Sequence, residues 1–242
     1  MSQGIINNYQ DLKDVIADYL DRRDLGTQIP GFIQLCEASI NRVLRHHNMI
    51  CKGQTVGSRR DNFVPLPEDW LEGRNVELVL LVENPDDPPN LIDGDTFQLS
   101  YQSPDAIDMM KQQNIQWRPQ ANVPGNPATT VPGRKQQVHY TYYGRVLEIY
   151  PDPGTDFRVV MEYYGKVGPL STQDNTNHLL TSDPDIYLYG ALLHSAPFLR
   201  DDPRLLVWDK LYQTALNQLD AAGKTAMTSG SRLTRKVNVG LG

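Results

Sequence analysis

Leu205, Trp208, Tyr212, Ala215, Leu219 and Ala222 recur in steps of three, four, three, four and three, and Gly223 follows them. That spacing is one stripe of an α-helix, and a stripe carrying a tryptophan and a tyrosine is stable only when packed on other helices. The chain must therefore supply mates for it.

They are found at both ends. Leu12, Val15, Ile16, Tyr19 and Leu20 predict a helix over about Tyr9–Asp21, with Asn8 as its cap and Gly26 as its stop. Phe32, Ile33, Cys36, Ile40, Val43 and Leu44 predict a second, with Pro30 in its first turn and Arg42, Arg45, His46 and His47 towards its last. Asp183-Pro184 and Asp202-Pro203 open two more. The first of these has Ile186, Tyr187, Gly190, Leu193 and His194 on one face and must bend or stop around Pro197. The second carries the stripe that ends at Gly223.

From about Thr55 the texture changes to short β-branched and aromatic runs broken by Pro, Gly and Asp. Val138–Tyr143, Val146–Tyr150 and Phe157–Tyr164 predict an antiparallel meander, turning at Gly144-Arg145 and at Asp152-Pro153-Gly154-Thr155. Phe157, Val159, Met161 and Tyr163 share one face of its last strand. Ser103-Pro104-Asp105 is a helix start within this region, serving Ala106, Met109 and Met110. Residues 119–135 are rich in proline and have little to bury, so they predict an exposed loop.

The fold expected is α+β: a helical bundle built from the N- and C-terminal helices, with an inserted antiparallel β-rich region. Its parts would be helices over 1–54, the β-rich insertion over 55–176, helices over 177–224, and an extended C-terminal arm over 225–242. The bundle core would be Leu12, Ile16, Phe32, Ile40, Leu44, Ile186, Leu193, Trp208, Tyr212 and Leu219. The 242 residues can bury such a core without staples. Cys36 and Cys51 form no CxxC pair and read as reduced thiols.

The arm has a distinct character. Residues 225–242 include Arg232, Arg235 and Lys236 and no acid, while Val237, Val239 and Leu241 alternate with small or polar residues. That pattern suits a strand added to another subunit's sheet edge, and with the resemblance given below it is the expected portal-binding arm; a frayed terminus is the alternative. The chain as a whole is acidic, with a formal charge of −6. Proteins that grip nucleic acid across a broad surface use Lys and Arg to displace counterions, so DNA contact should be passing at most. Met1–Lys13 lacks the basic start and apolar run of a signal peptide, and no stretch approaches the roughly 20 apolar residues that span a bilayer. Cytoplasmic synthesis without membrane association is expected.

Chemistry finds little support. His46 and His47 are adjacent, and side chains about 100° apart on a helix do not readily share an ion, so they read as a solvated helix end. Asp86, Asp87, Asp93 and Asp95 gather around Asn90 and Gly94, but the alternating acids, central glycine and closing glutamate of a calcium loop are missing, so they read as a solvated turn. Neither a Walker-type phosphate loop nor GxGxxG, HExxH or GxSxG occurs. The crowd of Tyr140, Tyr142, Tyr143, Tyr150, Tyr163 and Tyr164 is read chiefly as sheet packing. No enzyme, cofactor or metal is expected.

The run Asn177-His178-Leu179-Leu180-Thr181, then Asp183-Pro184-Asp185-Ile186-Tyr187-Leu188-Tyr189-Gly190-Ala191-Leu192, then Ala196-Pro197-Phe198-Leu199-Arg200-Asp201-Asp202-Pro203-Arg204, resembles the C-terminal signature of podophage head-to-tail adaptors. Tyr19–Leu25 with Phe32-Ile33 and Ile40–Arg45, Leu66–Leu71 and Tyr163–Val167 are similar to earlier pieces of the same family, in order. The segment from about Glu83 to Arg134 departs most from it. The resemblance implies a structural virion protein, made in the host cytoplasm and placed at the head–tail interface. Its copies would form a ring below the portal protein, of twelve by that resemblance. The ring would extend the DNA channel, with DNA as passing cargo, and offer a platform to the next tail or nozzle protein. A DNA-binding or other head-completion module is the alternative, and it would need basic residues gathered on a folded face.

Overall fold

The computed structural model describes residues 5–84, 86–87, 89–113, 137–199 and 202–228. The chain divides into two compact units, one from Met1–Ile50 with Lys166–Gly242, the other from Cys51–Gly165.

In the first unit, α1 (Tyr9–Leu20) starts where the Asn8 side chain accepts from the Gln10 and Asp11 N–H groups, and it ends at Asp21 in the left-handed region (φ 50°). α2 (Ile29–Val43) has Pro30 in its first turn, and a 3₁₀ turn follows over His47–Met49. Strands β1 (Ile50–Gly57), β2 (Phe63–Pro65), β3 (Trp70–Glu83) and β4 (Leu91–Tyr101) come next, then α3 (Pro104–Gln112). Strands β5 (Val138–Tyr143), β6 (Val146–Tyr150) and β7 (Phe157–Gly165) complete the second unit. The chain then returns to the first with α4 (His178–Ser182), α5 (Pro184–His194) and α6 (Arg204–Thr228).

α5 is the centre of the helical unit, packed by α1, α2, α4 and α6. Ile186, Tyr187, Leu188, Gly190, Ala191 and Leu192 are all buried, so most of the helix surface is enclosed, as suits a central helix, while Asp185 is exposed and Tyr189 half-buried. This differs from the single face expected: Leu193 and His194 are only half-buried, while Leu188, Ala191 and Leu192 close the opposite sides. Gly190 is what lets the neighbours approach. A Cβ there would stand 2.3 Å from Cys36 Sγ of α2 and 2.9 Å from Tyr212 Cε2 of α6.

The return segment is fastened to α2 by side chains one helical turn apart. Glu37, 7 % exposed, accepts the Leu170 N–H at 2.7 Å, and Asn41 accepts the Val167 N–H at 2.8 Å. Burial raises the Glu37 carboxyl above its ordinary value, and the Leu170 N–H partly opposes that.

The second unit is a seven-stranded sheet in the order β1-β7-β3-β4-β5-β6-β2. It has its own core, in which Val76, Leu78, Leu80, Phe157, Val159, Met161 and Tyr163 from β3 and β7 meet Leu147 and Ile149 of β6. α3 covers the opposite face near β5 and β6. Its Ile107 is fully buried, Met110 O accepts the Tyr150 hydroxyl at 3.0 Å, and Lys111 Nζ lies 2.8 Å from Glu148 Oε1.

The expected fold class is thereby corrected. The chain is not a helical bundle carrying an antiparallel insertion but a mixed α/β fold with a seven-stranded near-barrel sheet. The sheet encloses an apolar cluster of its own and needs no helical bundle to bury it. Nor is it wholly antiparallel: β4 and β5 run parallel through Leu99↔Val138 to Tyr101↔Tyr140, a pairing that requires a long crossover, here containing α3.

Candidate interaction surfaces

Of the expected bundle-core residues, Leu12, Ile16, Phe32, Ile40, Leu44, Ile186, Trp208, Tyr212 and Leu219 are buried, and Leu193 is half-buried. The residues picked for the arm, Arg232, Arg235, Lys236, Val237, Val239 and Leu241, and the loop 119–135 lie outside the described residues. α6 does not stop at Gly223 but continues to Thr228, so the first residues assigned to the arm are helical. Gly223 is a point of close approach: a Cβ there would come 2.6 Å from the His46 ring.

That contact also overturns the reading of His46 and His47 as a solvated helix end. α2 ends at Val43, and His46 is buried, its ring centroid 4.0 Å from that of His47, its Nδ1 accepting the Asn48 N–H. Burial lowers the His46 pKa, His47 and His178 push the same way, and Asp183 and Asp220 oppose them. His47 Nδ1 is buried without a hydrogen-bond partner among the described residues.

Sites for small molecules or metals are poorly served. Among the described residues no group of three or more His, Cys, Asp or Glu could hold a metal ion, and no helix is long and apolar enough to cross a membrane. An open cleft of about 950 Å³ in the helical unit is lined by Leu20, Asp21, Arg22, Phe198, Asp202 and Arg204 among others. Its two guanidinium groups are already engaged, Arg22 with Asp24 and Arg204 with Asp202 and the Tyr19 carbonyl. Burial also pushes the Cys36 thiol well above its ordinary pKa, with Glu37 adding to the effect, so it is no nucleophile.

What the described residues do present is exposed apolar surface. On α6, Leu206 is 80 % exposed, and Val207 and Leu211 lie exposed beside it. On the sheet, β3 parts from β7 after Leu80 while remaining paired with β4, so the ends of β3 and β4 form a two-stranded ribbon. Val82, Leu91 and Ile92 near its tip are exposed. Around them stand Glu83, Asp86, Asp87, Asp93 and Asp95, of which Asp93 is paired with Arg158. β4 is joined to β5 in parallel over Leu99–Tyr101.

Sequence reasoning missed this ribbon: Asp86 and Asp87 do lie at an exposed turn, as read, but Asp93 and Asp95 belong to β4. Leu91, Ile92 and Phe97 follow the proline-rich turn closely enough to have signalled a strand. Glu37 gave no signal, because its role depends on a backbone N–H far along the chain.

The family model described as SU10 adaptor protein matches residues 7–236. No curated protein matches the chain.

Proposed function

Because the chain belongs to the SU10 adaptor protein family, a family of phage adaptors and hence of structural rather than catalytic proteins, we propose that its copies form a head-to-tail ring below the portal. The ring would continue the DNA channel and present a platform to the next tail protein. The match over residues 7–236 carries this reading, since it takes in both compact units. The acidic balance suits a bore that DNA passes through without being held. The basic C-terminal segment, with Arg232, Arg235, Lys236, Val237, Val239 and Leu241, is the proposed arm that ties subunits into the portal-bound assembly.

The apolar stripes of the helical unit are spent largely on its own core, so lateral contacts between free subunits are weak and the portal acts as template. Negative-stain imaging of the purified chain with and without portal tests this. Rings on portal and monomers alone are expected. Absence of binding to portal would refute the adaptor reading, and stable rings without portal would refute the templating.

A further inference from the structure

We propose that the adjoining rings of His46 and His47 form a proton-operated latch on the last turns of α6, holding Gly223 while they are neutral and letting that end of the helix go in acid. The inference stands without the adaptor reading, although the basic residues assigned there to the arm follow α6 in the chain.

Geometry carries it. Between Ala221 and Ala226, Gly223 is buried while Ala221, Ala222, Lys224, Thr225 and Ala226 are exposed. The two rings lie against that glycine: a Cβ on it would stand 2.6 Å from His46 Cδ2, 3.1 Å from His46 Nε2 and 3.6 Å from His47 Nδ1. The ring centroids are 4.0 Å apart, and His46 is 5 % exposed. His46 Nδ1 accepts the Asn48 N–H at 3.3 Å, so this nitrogen carries no proton and the ring is neutral. A proton added there would set donor against donor and undo the cap of the 3₁₀ turn over His47–Met49. His47 Nδ1, buried without a hydrogen-bond partner among the described residues, leaves a second polar atom unserved in the same contact. Water relieves both once the helix end moves away.

Electrostatics fixes the direction. Burial is the largest influence on the His46 charge and opposes it; His47 beside it and His178 at the start of α4 oppose it too, while Asp183 and Asp220 favour it. Asp220 is already ion-paired with Lys224 at 2.6 Å, and Arg45 turns its guanidinium to the Asn41 and Leu44 carbonyls. The ring therefore binds a proton more tightly when released into water, and release sets in as pH falls below the ordinary histidine value of about 6.5. Buried Trp208, Tyr212, Ala215 and Leu219 keep the rest of α6 in place.

The test follows the full chain, isotopically labelled in histidine, glycine and tyrosine, by nuclear magnetic resonance from pH 7.5 to 5. The proximity signal between the His46 ring and Gly223 should fade as that ring titrates, while the signal between the Tyr212 ring and Gly190 persists. Amide exchange over Asp220–Lys224, corrected for the intrinsic effect of pH, should rise about tenfold between pH 7.5 and 5.5, the ratio for one histidine that is charged only when released. Simultaneous loss of both proximity signals would mean general unfolding and overturn the latch. So would a His46 ring that takes up a proton with Gly223 still against it, or that takes up none by pH 5. His46→Gln keeps an acceptor for Asn48 but gains no charge, so it should abolish most of the tenfold rise, and a full response in this variant overturns the proposal. His47→Gln removes the like charge beside His46 and should move the His46 titration to higher pH; an unmoved titration overturns the pairing of the rings.

Discussion

Gly190→Ala is the smallest change with a large expected effect. The new methyl would sit 2.3 Å from Cys36 Sγ and 2.9 Å from the Tyr212 ring, which close on α5 from two different helices. Neither neighbour can step aside, since Cys36 is fully buried and Tyr212 is 7 % exposed. Alanine gains about 1 kcal/mol of helix propensity over glycine. Overpacking a tight core costs about 1–3 kcal/mol, and two opposed clashes place this site at the upper end. The net loss is then about 1–2 kcal/mol. For a chain of this size that lowers the unfolding midpoint by about 2–8 °C. Cys36→Ala alone removes one small buried group and costs roughly 1 kcal/mol. It also removes the nearer clash, so the double variant should lose about 1 kcal/mol less than the sum of the single losses. Thermal and urea unfolding of the four proteins, followed by circular dichroism, gives the cycle. A Gly190→Ala protein as stable as the parent, or strict additivity with Cys36→Ala, would refute the three-helix contact.

Trp208→Ala should cost about 3–5 kcal/mol, because the ring is 5 % exposed on α6 with the Arg204 guanidinium stacked over it, and an unchanged urea midpoint would contradict this. Glu37→Ala leaves the Leu170 N–H buried without an acceptor and should cost about 1–3 kcal/mol, whereas Glu37→Gln keeps an acceptor and should stay near the parent, so equal losses in the two variants would count against the hydrogen bond. Acid should destabilise the fold: His46, His139, His178 and His194 are each pushed below their ordinary value, mainly by burial, so the unfolded chain binds protons first. Their contribution is fully present above the unfolded histidine range near pH 6.5 and is lost as pH falls through it towards the lowered values. Unfolding midpoints that stay level from pH 7.5 to 5.5 would overturn that sign.

Local signals carried much of the secondary structure. Asn8, Ser103-Pro104 and Asp183-Pro184 begin helices because caps and first-turn prolines act within a few residues, and β7 buries alternate side chains because strand geometry has a period of two. The resemblance in ordered pieces also pointed to a phage adaptor, and the chain belongs to such a family. The sequence did not disclose that β4 joins β5 in parallel, that the sheet is a body with its own core, or that α5 buries Leu188, Ala191 and Leu192 beyond the single face expected. Those outcomes depend on which distant segments meet, and no periodicity encodes a partner. Gly223 makes the point in one residue. By its neighbours in the chain it reads as a helix stop, because glycine is costly within a helix; only the fold brings the His46 ring against it and leaves no room for anything larger.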